Sequence, residues 1–188
     1  MPSSFVGTAM HALYPLTLIL SLQSAIAGWG EFEYDFDEDK KPWQEVQAQL
    51  PAYPRPDRLV PFEVSAASRN RYYIDDASLS VGEDGVVRYT VVVRTPGGAE
   101  NVSFEGMRCD DGQRKLYAFG RPDGRGGGEW SRNRHARWEP IQTRQAASYH
   151  RELFYYYFCT VEGKGNLAAI RRYLRQGGLN RSDEAGVQ

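Results

Sequence analysis

Alternating apolar and polar residues in the middle of the chain predict an antiparallel sheet. Between Val86 and Arg94 one face of the chain carries Val87, Tyr89, Val91 and Val93, and the other face carries Arg88, Thr90 and Arg94. This period of two is typical of a strand with one buried face. Similar runs at 72–81, 101–109 and 114–120 are separated by three turn signals: Glu83-Asp84-Gly85, Pro96-Gly97-Gly98 and Asp110-Asp111-Gly112. The pattern predicts a meander of four or five strands.

The period changes to that of a helix toward the C-terminus. Leu153, Tyr157 and Val161 recur at helical spacing in a segment that begins near Gln145. The aromatic run at 154–158 also suits a strand, so helix and strand both stay open there.

A second helix has clear start and stop signals. Asn166 is a favourable N-cap, and Gly177-Gly178 is a favourable C-terminal stop. Between them Leu167, Ile170 and Leu174 share one face. We therefore expect an α+β fold, in which an antiparallel meander is covered by two C-terminal helices.

An apolar leader opens the chain. Residues 12–26 are nearly all apolar or small, and Ala25-Ile26-Ala27 before Gly28 has the small-x-small pattern of a signal-peptidase site. The run is interrupted by Pro15 and is shorter than the roughly 20 apolar residues of a membrane span. We expect an export signal cleaved between Ala27 and Gly28, a periplasmic location, and no membrane span in the mature protein.

An acidic stretch and then a proline-rich connector follow the leader. Pro42 is suited to open a short helix with Trp43, Val46 and Leu50 on one face, before several prolines enforce an extended chain. The expected divisions are a signal peptide at 1–27, this N-terminal segment at 28–61, one α+β domain at 62–178 and a disordered tail at 179–188.

Charge and cysteine content narrow the function classes. The chain has 23 Lys and Arg against 24 Asp and Glu, so its net charge of -1 gives no general attraction to nucleic acid. Cys109 and Cys159 are its two cysteines, and an even count in an exported protein predicts one disulfide. Such a bridge is worth about 4 kcal/mol in the chain-entropy model. It would fix the first C-terminal helix against the sheet.

No catalytic or metal-binding motif is present in the sequence. GxSxG and HExxH are absent, and the histidines lie at no recognised zinc spacing from either cysteine. We therefore expect no metal, no cofactor and no enzymatic activity. The alternative is an envelope-directed hydrolase that uses His135 or His150, which requires that histidine to lie within hydrogen-bond reach of Asp or Glu at the base of a cleft.

A segment rich in arginine and tryptophan is the candidate ligand-binding surface. Guanidinium groups bind anions, and tryptophan faces stack on sugars or cations. The segment therefore suits an envelope glycan, a lipid headgroup or a periplasmic protein partner. It also suits a solvated loop whose tryptophans pack into the core. The candidate residues are Arg121, Arg125, Trp130, Arg134, His135 and Trp138.

Several stretches of the chain resemble the cryptic neisserial protein-like family of small exported Gram-negative proteins. They are Trp29-Gly30-Glu31-Phe32, the strand Phe104 to Cys109, the strand Lys115 to Gly120, and the segment Tyr149 to Cys159. The resemblance implies a periplasmic location and implies no activity. We therefore expect a periplasmic binding or envelope-associated module, with a periplasmic assembly or chaperone partner as a further alternative.

Overall fold

Seven strands form one antiparallel sheet in the part of the chain that the structure describes. This computed structural model describes residues 42–66, 68–142 and 148–179. The expected signal peptide, the acidic stretch, the tail beyond Leu179 and the start of the first helix near Gln145 lie outside these residues. The strands are β1 (Leu59–Phe62), β2 (Arg71–Val81), β3 (Val86–Arg94), β4 (Glu100–Arg108), β5 (Gln113–Pro122), β6 (Gly128–Arg132) and β7 (Trp138–Pro140).

The strands follow one another across the sheet in chain order, as a meander. The order is β1-β2-β3-β4-β5-β6, and β7 pairs with the far end of β5. The three predicted turns are confirmed, with Gly85 and Gly112 at positive φ, where a side chain would be strained. The sheet has more strands than the four or five expected. The connector was expected to reach residue 61, but the sheet begins at Leu59, and Pro61 is tolerated in β1 because β1 is an edge strand.

Two helical segments at the C-terminus cover one face of this sheet, as predicted. The first comprises α1 (Tyr149–Glu152) and a π-helical continuation, Leu153–Phe158, so the segment left open between helix and strand is helical. The second, α2 (Leu167–Gln176), begins with the Asn166 side chain accepting a hydrogen bond from the Ala169 N–H. It ends at Gly177, which has φ 82°, and both end signals are confirmed.

The main core lies between these helices and the sheet. Tyr89 and Phe158 are fully buried there, and their ring centroids lie 5.0 Å apart. Leu179, which the sequence assigned to the tail, packs against this core and donates its N–H to the Tyr156 carbonyl. The other buried members include Ile74, Val87, Val91, Met107, Leu153, Tyr157, Ile170 and Leu174.

The predicted disulfide joins the first helical segment to the sheet. Cys109 follows β4 and Cys159 follows the π-helical turns, and their Cα atoms lie 5.3 Å apart. The bridge therefore connects the end of a central strand to the end of the helix that packs over it.

The opposite face of the sheet is covered by residues 42–55, which we call the strap. The short helix predicted from Pro42 is wrong, because the strap has no regular secondary structure. The backbone of Val46 is bound by two side chains: Asp84 of the β2–β3 turn accepts from its N–H, and Arg88 of β3 donates to its carbonyl. Trp43 and Val46 remain 42% and 48% exposed, so they do not form the expected buried stripe.

The strap changes the environment of the central strands. Leu50 packs with Ala48 on a second, smaller core of Phe104, Tyr117 and Ala118. Arg88 and Thr90, on the polar face of β3, are therefore buried as well. The prediction that β3 has one buried face is wrong, because the strap covers the other face.

Candidate functional site

The six predicted ligand-binding residues do not come together. Trp130 lies in β6 opposite Gly120, whereas Trp138 lies in β7 opposite Lys115. The two tryptophans therefore stand at opposite ends of β5. The arginine and tryptophan segment is divided between two places on the sheet and is not one surface.

Trp130 is part of the packing beneath the strap. Its indole N–H donates to the Pro51 carbonyl at 2.9 Å. Its ring centroid lies 5.5 Å from that of Tyr53 and 6.2 Å from that of Phe104. This tryptophan holds the strap on the sheet, as the alternative interpretation of the segment expects.

Trp138 also holds the strap, at its other end. Its indole N–H donates to Glu45 at 3.2 Å, and its ring meets the edge of Trp43 at a centroid distance of 5.8 Å. The Arg108 guanidinium carbon lies 4.1 Å from the Trp43 ring centroid and 5.1 Å from the Trp138 ring centroid. Cation–π contacts of this kind favour a fixed arrangement of all three side chains.

Glu45 is the main polar anchor of the strap. Its carboxylate accepts from Lys115 Nζ at 2.7 Å and from the Tyr117 hydroxyl at 2.8 Å, in addition to the Trp138 indole. Burial alone would raise the pKa of Glu45, but these three donors and the Lys115 charge outweigh it and lower that pKa. The carboxylate is therefore ionised, and it is engaged in hydrogen bonds to other residues of the protein.

The four remaining predicted residues are exposed, in two separate groups. Arg121 lies near the end of β5 and Arg125 lies in the β5–β6 hairpin, whereas Arg134 and His135 lie between β6 and β7. No side-chain bond joins His135 to a carboxylate among the described residues. His135 therefore does not meet the condition for the hydrolase alternative.

Arg121 and Arg125 lie at the end of the sheet where other arginines gather. The register places Arg71 of β2 opposite Arg94 of β3, and Arg94 opposite Glu100 of β4. Arg94 donates to Glu100 at 2.7 Å and lies over the Tyr73 ring at 4.9 Å. Arg69 and Arg71 are exposed and have no ion-pair partner in the described part of the chain. We call Arg69, Arg71, Tyr73, Arg94 and Glu100 the arginine corner.

Sequence reasoning missed the arginine corner because it searched for contiguous clusters. Its members come from the approach to β2, from β2 itself, from the end of β3 and from the start of β4. The register that brings Arg71 and Arg94 together also includes a shift between Asp75 and Ser80 of β2. Counting outward from the Glu83-Asp84-Gly85 turn would have placed Arg94 opposite Ile74, so the turn alone does not reveal this pair.

Two cavities open at the arginine corner. One, of about 360 Å³, is lined by Arg69, Arg71, Tyr73 and the Pro96 turn. The other, of about 280 Å³, is lined by the strap and the β5–β6 hairpin. Arg94 and Glu100 line both cavities. The corner is therefore a place where the strap leaves the sheet open.

A second polar cluster is buried under the first helix and is centred on Glu105. The Glu105 carboxylate is 2% exposed and accepts four hydrogen bonds on the helix-covered face of the sheet. The four donor groups are the Tyr89 hydroxyl at 3.0 Å, the Ser103 hydroxyl at 2.7 Å, the Tyr149 hydroxyl at 2.8 Å and His150 Nε2 at 2.8 Å. We call these five residues the Glu105 centre.

The Glu105 centre keeps its carboxylate charged. Burial alone would raise the pKa of Glu105, but the electrostatic interaction with His150 and the hydrogen bonds from His150, Ser103 and Tyr149 lower it to about 2. Burial and the Glu105 charge raise the pKa values of Tyr89 and Tyr149 well above the usual range. Both phenols therefore remain protonated and donate to Glu105.

The Glu105 centre bears on the hydrolase alternative. His150, one of its two histidine candidates, lies within hydrogen-bond reach of a carboxylate, as that alternative requires.

The described residues contain no group of three or more side chains that could hold a metal ion. Within the same residues, no helix has the length and apolar character needed to cross a membrane.

Together these features define a disulfide-bridged α+β protein with a strapped antiparallel sheet, a buried carboxylate centre and an open arginine corner. The chain matches the family model of the CNP1-like family over residues 38–175, and it belongs to that family. The match confirms the resemblance seen in the sequence. Comparison with the curated proteins gives no match, and neither does comparison with the solved structures. Family membership names no activity, so the function is argued from the site.

Proposed function

We propose that this protein is exported to the periplasm and acts there as a non-enzymatic module that binds anionic material of the cell envelope. The observation that carries the proposal is the pair of exposed guanidinium groups at the arginine corner, Arg69 and Arg71, beside a cavity. Unpaired arginines next to a cavity suit phosphate and carboxylate groups, which a guanidinium binds with two parallel hydrogen bonds. The export leader supports the location, and it lies outside the described residues.

Both faces of the sheet are covered, which supports a binding role at its rim, meaning the end of the sheet where the arginine corner lies. The strap occupies one face and the two helical segments occupy the other. The tryptophans expected to bind a ligand are used to hold the strap. Binding is therefore assigned to the arginine corner, with Arg121 and Arg125 at the same end of the sheet.

The proposal is tested by expressing the full chain in a Gram-negative host and fractionating the cells. The expected result is a periplasmic protein whose first residue is Gly28 and which sediments with isolated envelopes at low salt. Because the attraction is electrostatic, sedimentation should decline as salt is added. An unprocessed protein in the cytosol would contradict the location, and salt-independent sedimentation would contradict the mode of binding.

A hydrolase remains the second candidate function, because His150 bonds to Glu105 at 2.8 Å. A carboxylate that orients a histidine is a common element of hydrolytic sites. In that case the processed protein should release soluble fragments from purified cell-wall sacculi, and His150→Gln should abolish the release. The absence of any release by the unaltered protein would remove this candidate.

A further inference from the structure

We propose that the arginine corner binds an anionic amphiphile, meaning a single apolar chain that carries a phosphate or carboxylate group. The inference rests on the proposed envelope-binding function and names the class of ligand. It follows from the different chemistry of the two cavities that share Arg94 and Glu100. One cavity has three arginines in its lining, and the other has three prolines, a leucine and a valine in its lining.

The first cavity provides the binding groups for the anionic head. Arg94 is held in place by its hydrogen bond to Glu100 and its position over Tyr73, so it forms a fixed wall. Arg69 and Arg71 line the same cavity with no ion-pair partner among the described residues. Three guanidinium groups against one carboxylate leave a net positive charge at the cavity. A phosphate or carboxylate is the complementary group.

The second cavity suits the apolar chain. Its walls include Pro54 and Pro56 from the chain leading into β1, together with Leu59, Val92 and Pro122. At about 280 Å³ it is large enough for several methylene groups and too small for a folded peptide segment. Burial of those methylenes supplies a favourable contribution that an inorganic anion lacks.

Tyr53 also lines the second cavity. Its hydroxyl is buried and has no hydrogen-bond partner in the described part of the chain. Burial, with the charges of Glu100 and Asp123, raises the pKa of Tyr53 to about 12, so the phenol stays protonated. A buried donor of this kind is stabilised by an acceptor, and an ester or carboxyl oxygen of the ligand is suitable. Tyr53 therefore favours an oxygen-bearing chain over a plain alkane.

The test is calorimetric titration of the processed protein with dodecyl phosphate below its micelle concentration. The expected result is saturable binding at one site, with much weaker binding of inorganic phosphate and of neutral dodecyl maltoside. Arg69→Gln with Arg71→Gln should weaken binding about tenfold or more, since two charge-assisted contacts are removed. Tyr53→Phe keeps the ring and should weaken binding by a smaller factor. Equal binding of inorganic phosphate, or of the neutral amphiphile, would overturn the proposal.

Arg134→Gln with Arg137→Gln is the matched control, because it removes two exposed arginines between β6 and β7, away from the corner. It should bind dodecyl phosphate as the unaltered protein does. If the double corner variant also binds unchanged while its thermal unfolding is unaltered, the inference is wrong. For the unaltered protein, co-sedimentation with phosphatidic acid vesicles identifies the source of the amphiphile. Binding to the vesicles indicates a membrane lipid. Binding of monomeric dodecyl phosphate without binding to the vesicles indicates a free amphiphile.

These results are distinguishable from failure of the proposed function. A protein that is exported and sediments with envelopes, yet does not bind dodecyl phosphate, would refute the ligand class and leave the binding role standing. A protein that binds dodecyl phosphate but stays unprocessed in the cytosol would refute the location and leave the ligand class standing.

Discussion

Glu105 illustrates how a single buried charge is stabilised in this protein. It stands directly opposite Tyr89 in the register of β3 and β4, under the first helix. Its four hydrogen bonds use all the acceptor positions of a carboxylate, which is the arrangement that makes a buried charge tolerable. Two of the donors, Tyr149 and His150, belong to α1. The charge thereby ties α1 to the sheet.

Stability should depend on acid through Glu105. Its pKa in the folded protein is about 2, below the ordinary value of 4.5. The stabilisation is therefore complete above about pH 4.5 and is lost as the pH falls toward 2, and the full shift corresponds to about 3 kcal/mol. Urea unfolding at pH 6 and pH 3 should show the loss. Glu105→Gln should lower the free energy of unfolding at pH 6 and make it depend less on pH. If the free energy of unfolding of this variant falls between pH 6 and pH 3 as much as that of the unaltered protein, Glu105 is not the group responsible.

At the scale of elements, the hairpins were predictable and the strap was not. Each hairpin turn is specified within a few residues, as Glu83-Asp84-Gly85 shows between β2 and β3, although the register of these strands shifts between Asp75 and Ser80. The strap depends on contacts between residues far apart, such as Glu45 with Tyr117 and Trp130 with Pro51. Local periodicity carries no information on such contacts. For the same reason the sequence suggested a solvated face on β3 and did not reveal the arginine corner.

The strap should depend on Glu45. Glu45→Ala removes the acceptor for Lys115, Tyr117 and Trp138, so three buried or half-buried donors lose their partner. We expect faster amide hydrogen exchange in residues 42–55 with little change in the amides of β3, measured by mass spectrometry. Arg55→Ala, on an exposed side chain of the same strap, is the control and should change neither region. If the amides of residues 42–55 exchange as slowly in Glu45→Ala as in the unaltered protein, the strap is held by apolar packing alone.

At the scale of the whole molecule, the described chain covers its own sheet on both faces. The helices and the Cys109–Cys159 bridge cover one face, and the strap covers the other. What the sheet leaves open is its rim, where β2, β3 and β4 present the arginine corner. The disulfide was predictable from the cysteine count, whereas the corner required the complete register of the sheet.

The disulfide should matter most for the helix that it joins to β4. Cys109→Ser with Cys159→Ser should lower the free energy of unfolding by about 2–4 kcal/mol, because the unfolded chain regains the freedom of a long loop. Hydrogen exchange in 149–158 should accelerate more than exchange in α2, which has no bridge. A double variant as stable as the unaltered protein would mean that packing alone fixes the first helical segment.

The central claim is that the arginine corner carries the binding to anionic envelope material. The most direct measurement is the fraction of processed protein that co-sediments with isolated envelopes at low salt. The comparison is between Arg69→Gln with Arg71→Gln and Arg134→Gln with Arg137→Gln, two variants with the same change in net charge. The account predicts that the first variant stays in the supernatant and the second sediments like the unaltered protein. Equal sedimentation of the two variants would contradict it.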